Sequence, residues 1–424
     1  MTLPADLLLV AGGEALERWG TFVRRTIPAY RGGEAWKETH TRADAATVAT
    51  YLDRDGYVRR ALANVLRPEY VSGAGGYCTL HEASRTNLIT YSSALGSWTN
   101  AGSFTITADA VDLGALKLAK LLDPGGGNEL TLTLTFTGNA QKVVVVHVKE
   151  GDATAPYIRL EDTTASANRL LTELSWSGGV PSATMTVGTE LISPALVRDG
   201  VYRLVFLTTS VTAANGHKIV LVGAGPIEPG TYTYYGGVQS ENNTYPSSLI
   251  VTSGSTVTRA ADALTIPWYQ TPEAMTVYAK FVERAEPTWV LVGGLDPRIM
   301  QIGAAGDTNP RLVIYKDVGT DDYICEMHTT AGGVGSTIDL GPVYGRVIEL
   351  CGTLSATGVV TLHGAKDGVA GTSGAASSAL TLASAWSDAL LSLANIGATG
   401  YGDIALRSLK IARGVYSLDE MAAA

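Results

Sequence analysis

The middle of the chain alternates short apolar stretches with turn residues. Residues 130–137 alternate Leu and Thr, placing Leu130, Leu132, Leu134 and Phe136 on one face and the threonines on the other. A period of two marks a half-buried strand. Residues 143–148 are apolar at every position but His147, so both faces of that strand should be covered, with His147 a core residue whose hydrogen bonds are met. Stretches 157–160, 182–187, 201–208 and 218–222 continue the pattern, broken by Gly-Gly, Asn-Gly and Pro-Gly turns. Strands at this spacing predict a two-sheet antiparallel sandwich of jelly-roll type within 71–262.

A second series, 275–282, 289–292, 311–315, 324–328, 346–354 and 359–364, predicts another sandwich over 263–424. Near its end Ser417 and Glu420 have the S-x-x-E spacing in which side chains satisfy free amides at a helix start, so a short helix should follow. Upstream, Asp53-Arg54-Asp55-Gly56 separates 47–51 from 57–59, and Asp-Gly supplies the positive φ of a tight hairpin turn. Residues 14–25 carry a narrow helical stripe of Leu16, Trp19 and Val23, with Phe22 beside it. Two readings stand. Either residues 1–70 attach or oligomerise, with Leu16, Trp19, Phe22 and Val23 in contact with a partner, or the helix packs on the chain's own sandwich. The fold class is all-β: two antiparallel sandwiches, jelly-roll and lectin-like, behind a small N-terminal attachment segment.

Composition supports this division. A chain of 424 residues exceeds one ordinary core, and 48 Gly with abundant Thr and Val favours strands and turns. Thirty-one basic against 40 acidic residues give a net charge of −9 with no basic run, which argues against nucleic acid as a partner. Cys78, Cys325 and Cys351 are odd in number and lack Cys-x-x-Cys spacing, so buried free thiols are expected, a Cys325–Cys351 pair being the alternative. No apolar run approaches the ~18–20 residues of a membrane helix. Acidic Asp6 precedes the one strongly apolar start, where a signal peptide carries basic residues, so a soluble protein without such a signal is expected.

Two separated motifs carry a family resemblance. The first runs over Glu82, Arg85, Thr86, Asn87, Leu88, Tyr91 and Ser92; the second over Gly237, Val238, Gln239, Glu241, Tyr245, Pro246, Ser247, Ser248, Thr258, Arg259, Ala260, Ala261 and Asp262. In this order and separation they resemble phage head-spike and tail-fibre proteins, over roughly residues 44 to 264. In that family Asn64 and Arg67 also fall where an Asn and an Arg are usual. The resemblance implies a place on a virus-like particle and a structural role for Glu82, Arg85, Asn87, Glu241, Arg259 and Asp262, with Arg259 and Asp262 as a strand-entry ion pair joined by Glu82 or Arg85. The close of the chain, 402–421, resembles the end of a concanavalin A or laminin-G-like domain, which implies a structural Asp403.

Catalytic chemistry is hard to find. Glu161-Asp162 are adjacent and so point to opposite faces, and Asp321-Asp322 share that fault, whereas a glycosidase needs two carboxylates projecting into one cleft. The six histidines are scattered without HExxH or H-x-H spacing. Residues 123–128 form a Gly-rich turn with no Lys-Ser or Lys-Thr to make a phosphate loop. No catalytic residue and no cofactor are assigned. A structural calcium on Asp109, Asp112 or Asp123 is the one metal considered. Sugar recognition needs amphipathic rings and amides: Tyr232 and Tyr234 share a strand face, Tyr235 takes the other, and Asn242 and Asn243 follow in a loop, forming a candidate carbohydrate platform, the alternative being tyrosines that finish a core or an oligomer interface. Trp98, Trp176, Trp289 and Trp386 are read as core anchors.

The expected function is a non-enzymatic virion protein, a head spike, capsid decoration or tail fibre, binding host surface polysaccharide. It would work as a homo-oligomer beside other virion proteins, assembled in the host cytoplasm and released by lysis. A capsule depolymerase and a structural adaptor for another spike protein are the alternatives. Removal of residues 1–70 should then abolish particle attachment while the sandwiches still fold.

Overall fold

The structure is a computed structural model. It describes residues 8–12, 39–42, 48–65, 67–71, 76–125, 128–222, 230–268, 274–284, 298–303, 311–317, 319–329, 332–343, 345–371, 373–382, 389–393, 395–396, 400–401 and 404–423. The helix expected over 14–25 lies outside them, as do Leu16, Trp19, Phe22 and Val23, and also Trp289, Trp386 and Asp403.

The chain forms two units, and neither is one continuous segment. Asp44–Leu62 and Arg85–Arg259 make one; Met1–Ala43, Ala63–Ser84 and Ala260–Ala424 make the other. These boundaries differ from 1–70, 71–262 and 263–424. Residues 1–70 do not stand apart as a segment, because their described strands are built into the units.

Within Arg85–Arg259, eight strands, taken in chain order, form the frame: Leu116–Leu122, Leu130–Leu134, Val143–Lys149, Tyr157–Asp162, Ala167–Ser177, Val201–Leu207, His217–Val222 and Tyr232–Glu241. The first, eighth, third and sixth are neighbours in one antiparallel sheet, and the second, seventh, fourth and fifth in the other. That order is the jelly roll. Thr105–Leu113 and Thr189–Arg198 extend the first sheet, Thr99–Asn100 and Val180–Val187 the second, to six strands each.

The predicted faces hold. Leu130, Leu134 and Phe136 are buried between the sheets and Leu132 packs against them. In 143–148, Val144, Val146 and Val148 face that core, while Val143 and Val145 form a second cluster with Val205 on the other side. His147 is buried with Nδ1 3.0 Å from the Gly237 carbonyl, and burial pushes its imidazole down to about 3, so it is neutral. Trp98 is in the core with its indole N–H on the Tyr91 carbonyl, and Trp176 packs against the same core.

The other unit stacks an eight-stranded and a seven-stranded antiparallel sheet. Five of the six stretches of the second series are strands, 289–292 lies outside the described residues, and the core strands Arg298–Gly303, Gly332–Ile338 and Ala389–Leu393 were not expected. Ile404–Arg413 pairs along one edge with Met275–Glu283 and along the other with both Leu8–Gly12 and Gly76–His81, with Arg67–Val71 beyond. In the second sheet Thr39–Thr41 borders Ala263–Trp268. The sandwich expected from 263–424 alone is thus completed by strands from the start of the chain. Side chains of both sheets, among them Val277, Phe281, Met300, Ile314, Leu350 and Leu406, meet in one core. Full burial of such a side chain contributes about 1.5–3 kcal/mol.

Smaller expectations also hold. Gly56 takes φ +80° in the hairpin of Thr50–Leu52 with Val58–Arg60. The helix Leu418–Ala423 starts at a capping box in which Ser417 N–H donates to Glu420 Oε2 (2.8 Å) and Glu420 N–H to Ser417 Oγ (3.3 Å). Its last carbonyls are met by Lys410, whose Nζ lies 2.8 Å from the Met421 oxygen. All three cysteines are buried and free.

Candidate functional site

The residues of the two motifs fall into two buried polar clasps. In the discontinuous sandwich, Arg42, Arg67, Glu82 and Asp262 have side chains at most 1 % exposed. Arg67 reaches Glu82 Oε2 at 2.8 Å and also bonds Asp262 Oδ2, while Arg42 lies 3.2 Å from Asp262 Oδ1. Backbone bonds reinforce them: Glu82 N–H donates to Asp262 Oδ2 and Asp262 N–H to the Glu82 carbonyl. Asn64 accepts from Arg42 N–H at 2.8 Å. Burial alone would pull the Arg67 guanidinium down, but Asp262 and Glu82 outweigh it and push it up. Two cations and two anions balance, which makes burying them tolerable and removing one costly.

The jelly roll holds the second clasp. Arg85–Asn87 runs antiparallel to Val257–Arg259, so the two motifs pair directly although some 170 residues separate Arg85 and Arg259 in sequence. Asn87 is fully buried and uses both ends of its amide. Nδ2 donates to the carbonyls of Ile250 (2.9 Å) and Val238 (3.3 Å), and Oδ1 accepts from Ile89 N–H (3.0 Å) and Ser240 N–H (3.2 Å). Gln239 repeats the device, accepting from Ile250 N–H and donating to Glu241. Ser92 and Thr252 exchange backbone-to-hydroxyl bonds at 2.8 and 2.9 Å. Gly237 sits at φ +52°, where a Cβ would lie 2.6 Å from His147 Nδ1, so the glycine is needed for both conformation and space.

Glu241 is the anion of this clasp, beside the cations Arg85 and Arg259. Its Oε1 accepts from Ser247 N–H (2.9 Å) and Ser247 Oγ–H (3.0 Å), and Oε2 stands 3.6 Å from Arg85 Nε. Burial lifts its carboxyl above the ordinary range against the pull of Arg85 and Arg259. Arg259 donates to Ser248 Oγ at 3.0 Å. The motif residues therefore meet as Arg67 with Glu82 and Asp262, and as Arg85 with Glu241; the ion partners found for Asp262 are Arg42 and Arg67 rather than the Arg259 expected of it.

The five residues of the carbohydrate platform do not form one site. Tyr235 is buried in the core with its hydroxyl on the Val222 carbonyl, 3.0 Å away. Asn242 and Asn243 lie past the far end of the Tyr232–Glu241 strand, about 26 Å from Tyr234 at ~3.3 Å per residue. Asn242 Oδ1 accepts from Thr137 N–H. Tyr232 and Tyr234 remain together on the outer face of the sheet, rings edge-on with centroids 5.4 Å apart. Lys120 Nζ lies 3.5 Å over the Tyr232 ring. Nearby, the Thr50–Arg60 hairpin covers part of that outer face, its Val58 buried together with Leu116, Leu118 and Val201 of the sheet. Its Tyr57 ring lies between the guanidinium groups of Arg198 (4.1 Å) and Arg59 (4.8 Å).

The three aspartates considered for calcium are not gathered around one point. Asp109 and Asp112 both face Lys117, at 3.4 and 2.9 Å. Asp123 is buried in a turn, accepting from Gly125 N–H and Asn128 Nδ2. Among the described residues no group of three or more His, Cys, Asp or Glu is placed to hold a metal ion. Glu161 and Asp162 do point apart: Glu161 is half-buried beside Arg159 and Lys218, Asp162 fully buried on Arg169 and Asn215.

Reading the sequence missed Arg42, Lys120, Lys149 and Arg198. Arg42 carries no local signal, since its partner lies 220 positions away. Lys120 was detectable in principle, because it has the strand parity of Leu118 and Leu122.

No protein-family model matches the chain, and no curated protein matches it. Among solved structures it is similar to the mouse laminin alpha1 chain, domains LG4-5, at 12 % identity over 73 % of this chain and 92 % of that one, with a TM-score of 0.26. A superposition at that score carries no argument. The fold stands on the sheets themselves.

Proposed function

We propose that the chain is a non-enzymatic virion protein of a phage or phage-like particle, a head-spike, decoration or fibre subunit that projects from the particle and binds host-surface polysaccharide. The observation that carries this reading is the pairing of the two motifs. Arg85–Asn87 and Val257–Arg259 are adjacent strands, and Asn87 ties both to the Tyr232–Glu241 strand. Residues of the two separated motifs meet in the jelly roll, and Glu82 meets Asp262 in the other sandwich, which supports the reading. Those polar groups are engaged in holding backbone, which leaves recognition to the outer faces. Repetition around a symmetric particle would raise weak sugar affinity by orders of magnitude through avidity, and other virion proteins and further copies of this chain would be its partners.

Cryo-electron microscopy of particles with and without the protein tests it. Density lost from capsid vertices or from the tail supports a virion component and says which. Particles that lose no density would sink the reading.

A further inference from the structure

On the outer face of the jelly roll's first sheet, directly paired residues form a row across all six strands: Arg198, Val201, Lys149, Tyr234, Lys120 and Thr107. Residues paired across strands project on the same face. Val201 is covered by the hairpin, so the accessible part is basic and aromatic. Lys149 and Lys120 flank Tyr234, two strand spacings apart, about 10 Å. Both are half-buried. Arg198 in the row sits on Asp199, and elsewhere in this unit Lys117, Arg159, Arg169 and Lys218 each sit on a carboxylate; among the described residues Lys120 and Lys149 do not. Lys120 instead rests on the Tyr232 ring. Two cations with no carboxylate in ion-pair contact among the described residues, set beside two tyrosines on a chain of net charge −9, call for a complementary ligand.

We infer that this row binds an acidic polysaccharide, its carboxylate or sulfate groups at Lys120 and Lys149 and a sugar ring against Tyr232 and Tyr234. The inference rests on the polysaccharide reading above and names the class of sugar. Charge spacing separates it from nucleic acid. Duplex DNA presents a charge every ~1.7 Å of axis, whereas cations about 10 Å apart with neutral rings between them suit a chain charged at intervals. A ligand hydroxyl also finds an acceptor nearby in exposed Asp152, whose Oδ1 takes the Tyr232 N–H.

The test measures binding of the full chain to immobilised polygalacturonate, dextran and a single-stranded oligothymidylate, for the native protein, a Lys120→Gln/Lys149→Gln pair and a Lys120→Arg/Lys149→Arg pair. Both lysines are half-buried on the sheet's outer face, and unchanged thermal unfolding of each variant serves as the folding control. The inference expects polygalacturonate bound in a salt-sensitive manner and dextran at least tenfold more weakly. It also expects at least a tenfold loss in the Gln pair, with most of the affinity kept in the Arg pair. Equal binding of dextran, unchanged by the Gln pair, would overturn the acidic class and leave the polysaccharide reading standing. No binding to any polysaccharide would overturn both. Tighter oligothymidylate binding, lost in the Gln pair, would make the row a nucleic-acid surface and overturn the inference.

Discussion

The two sandwiches secure their motif residues in opposite ways. The discontinuous one uses four full charges, Arg42, Arg67, Glu82 and Asp262, all fully buried. The jelly roll surrounds its own charges, Glu241, Arg85 and Arg259, with neutral amides and hydroxyls, Asn87, Gln239, Ser247 and Thr252. A buried ion cluster gains little net stability over apolar packing but loses much when one member goes, because an uncompensated charge stays behind. A neutral network fails more gradually, one unsatisfied group at a time.

That contrast orders the outcomes. Asp262→Ala leaves two buried guanidinium groups with one carboxylate and should cost about 3–5 kcal/mol, a large share of the ~5–15 kcal/mol that stabilises a domain. Urea unfolding would show it, and a loss under 1 kcal/mol would contradict the ionic account. Asn87→Ala strands two carbonyls and two amides and should cost about 2–4 kcal/mol, confined to the jelly roll. If it costs as much as Asp262→Ala, the contrast is wrong.

A pH effect comes next. Burial raises the Asp162 carboxyl, but Arg169, the Ala165 N–H and Asn215 outweigh it and hold it well below the usual carboxylate range. A depressed folded value means stability that is present above the unfolded pKa of ~3.9 and lost as pH falls below it. Jelly-roll stability should therefore decline from about pH 5 downward, and Asp162→Asn should flatten that decline while lowering stability at neutral pH. A native-like acid profile in the variant would remove Asp162 from the explanation. Smallest is Ser417→Ala, which deletes one half of a capping box and should cost about 1 kcal/mol, read as faster amide exchange in Leu418–Ala423 alone.

Legibility also divides between the units. Much of the jelly roll could be read because stretches such as 130–136 alternate cleanly. Leu116–Leu122, Ala167–Ser177 and Thr189–Arg198 were not among the stretches read, and Thr105–Leu113 escaped because it is largely exposed at a sheet edge and has no apolar face to announce it. The other sandwich showed its faces but not its partners. A bulge breaks period two in Ile404–Arg413, so that Leu406 and Leu409 share one core, and nothing local says that Leu8–Gly12 and Gly76–His81 lie along its edge. The same limit hid Arg42 and scattered the carbohydrate platform. Alternation placed Tyr232 and Tyr234 opposite Tyr235, but could not say that Tyr235 faces the core or that a ten-residue strand sets Asn242 far from the rings.

Deletion of residues 1–70 now has a different meaning. It removes Arg42, Arg67 and the strands Leu8–Gly12, Thr39–Thr41 and Arg67–Val71, so it should destabilise the discontinuous sandwich and would not isolate an attachment role.

Hydrogen exchange of Asp262→Ala, resolved by peptide, addresses the central claim that early and late segments are locked into one sandwich by this ion cluster. Protection should fall together in Arg67–Val71, Gly76–His81, Ala263–Trp268 and Ile404–Arg413, while Val143–Lys149 and His217–Val222 stay protected. Loss confined to residues 67–81, with the late strands unchanged, would contradict it.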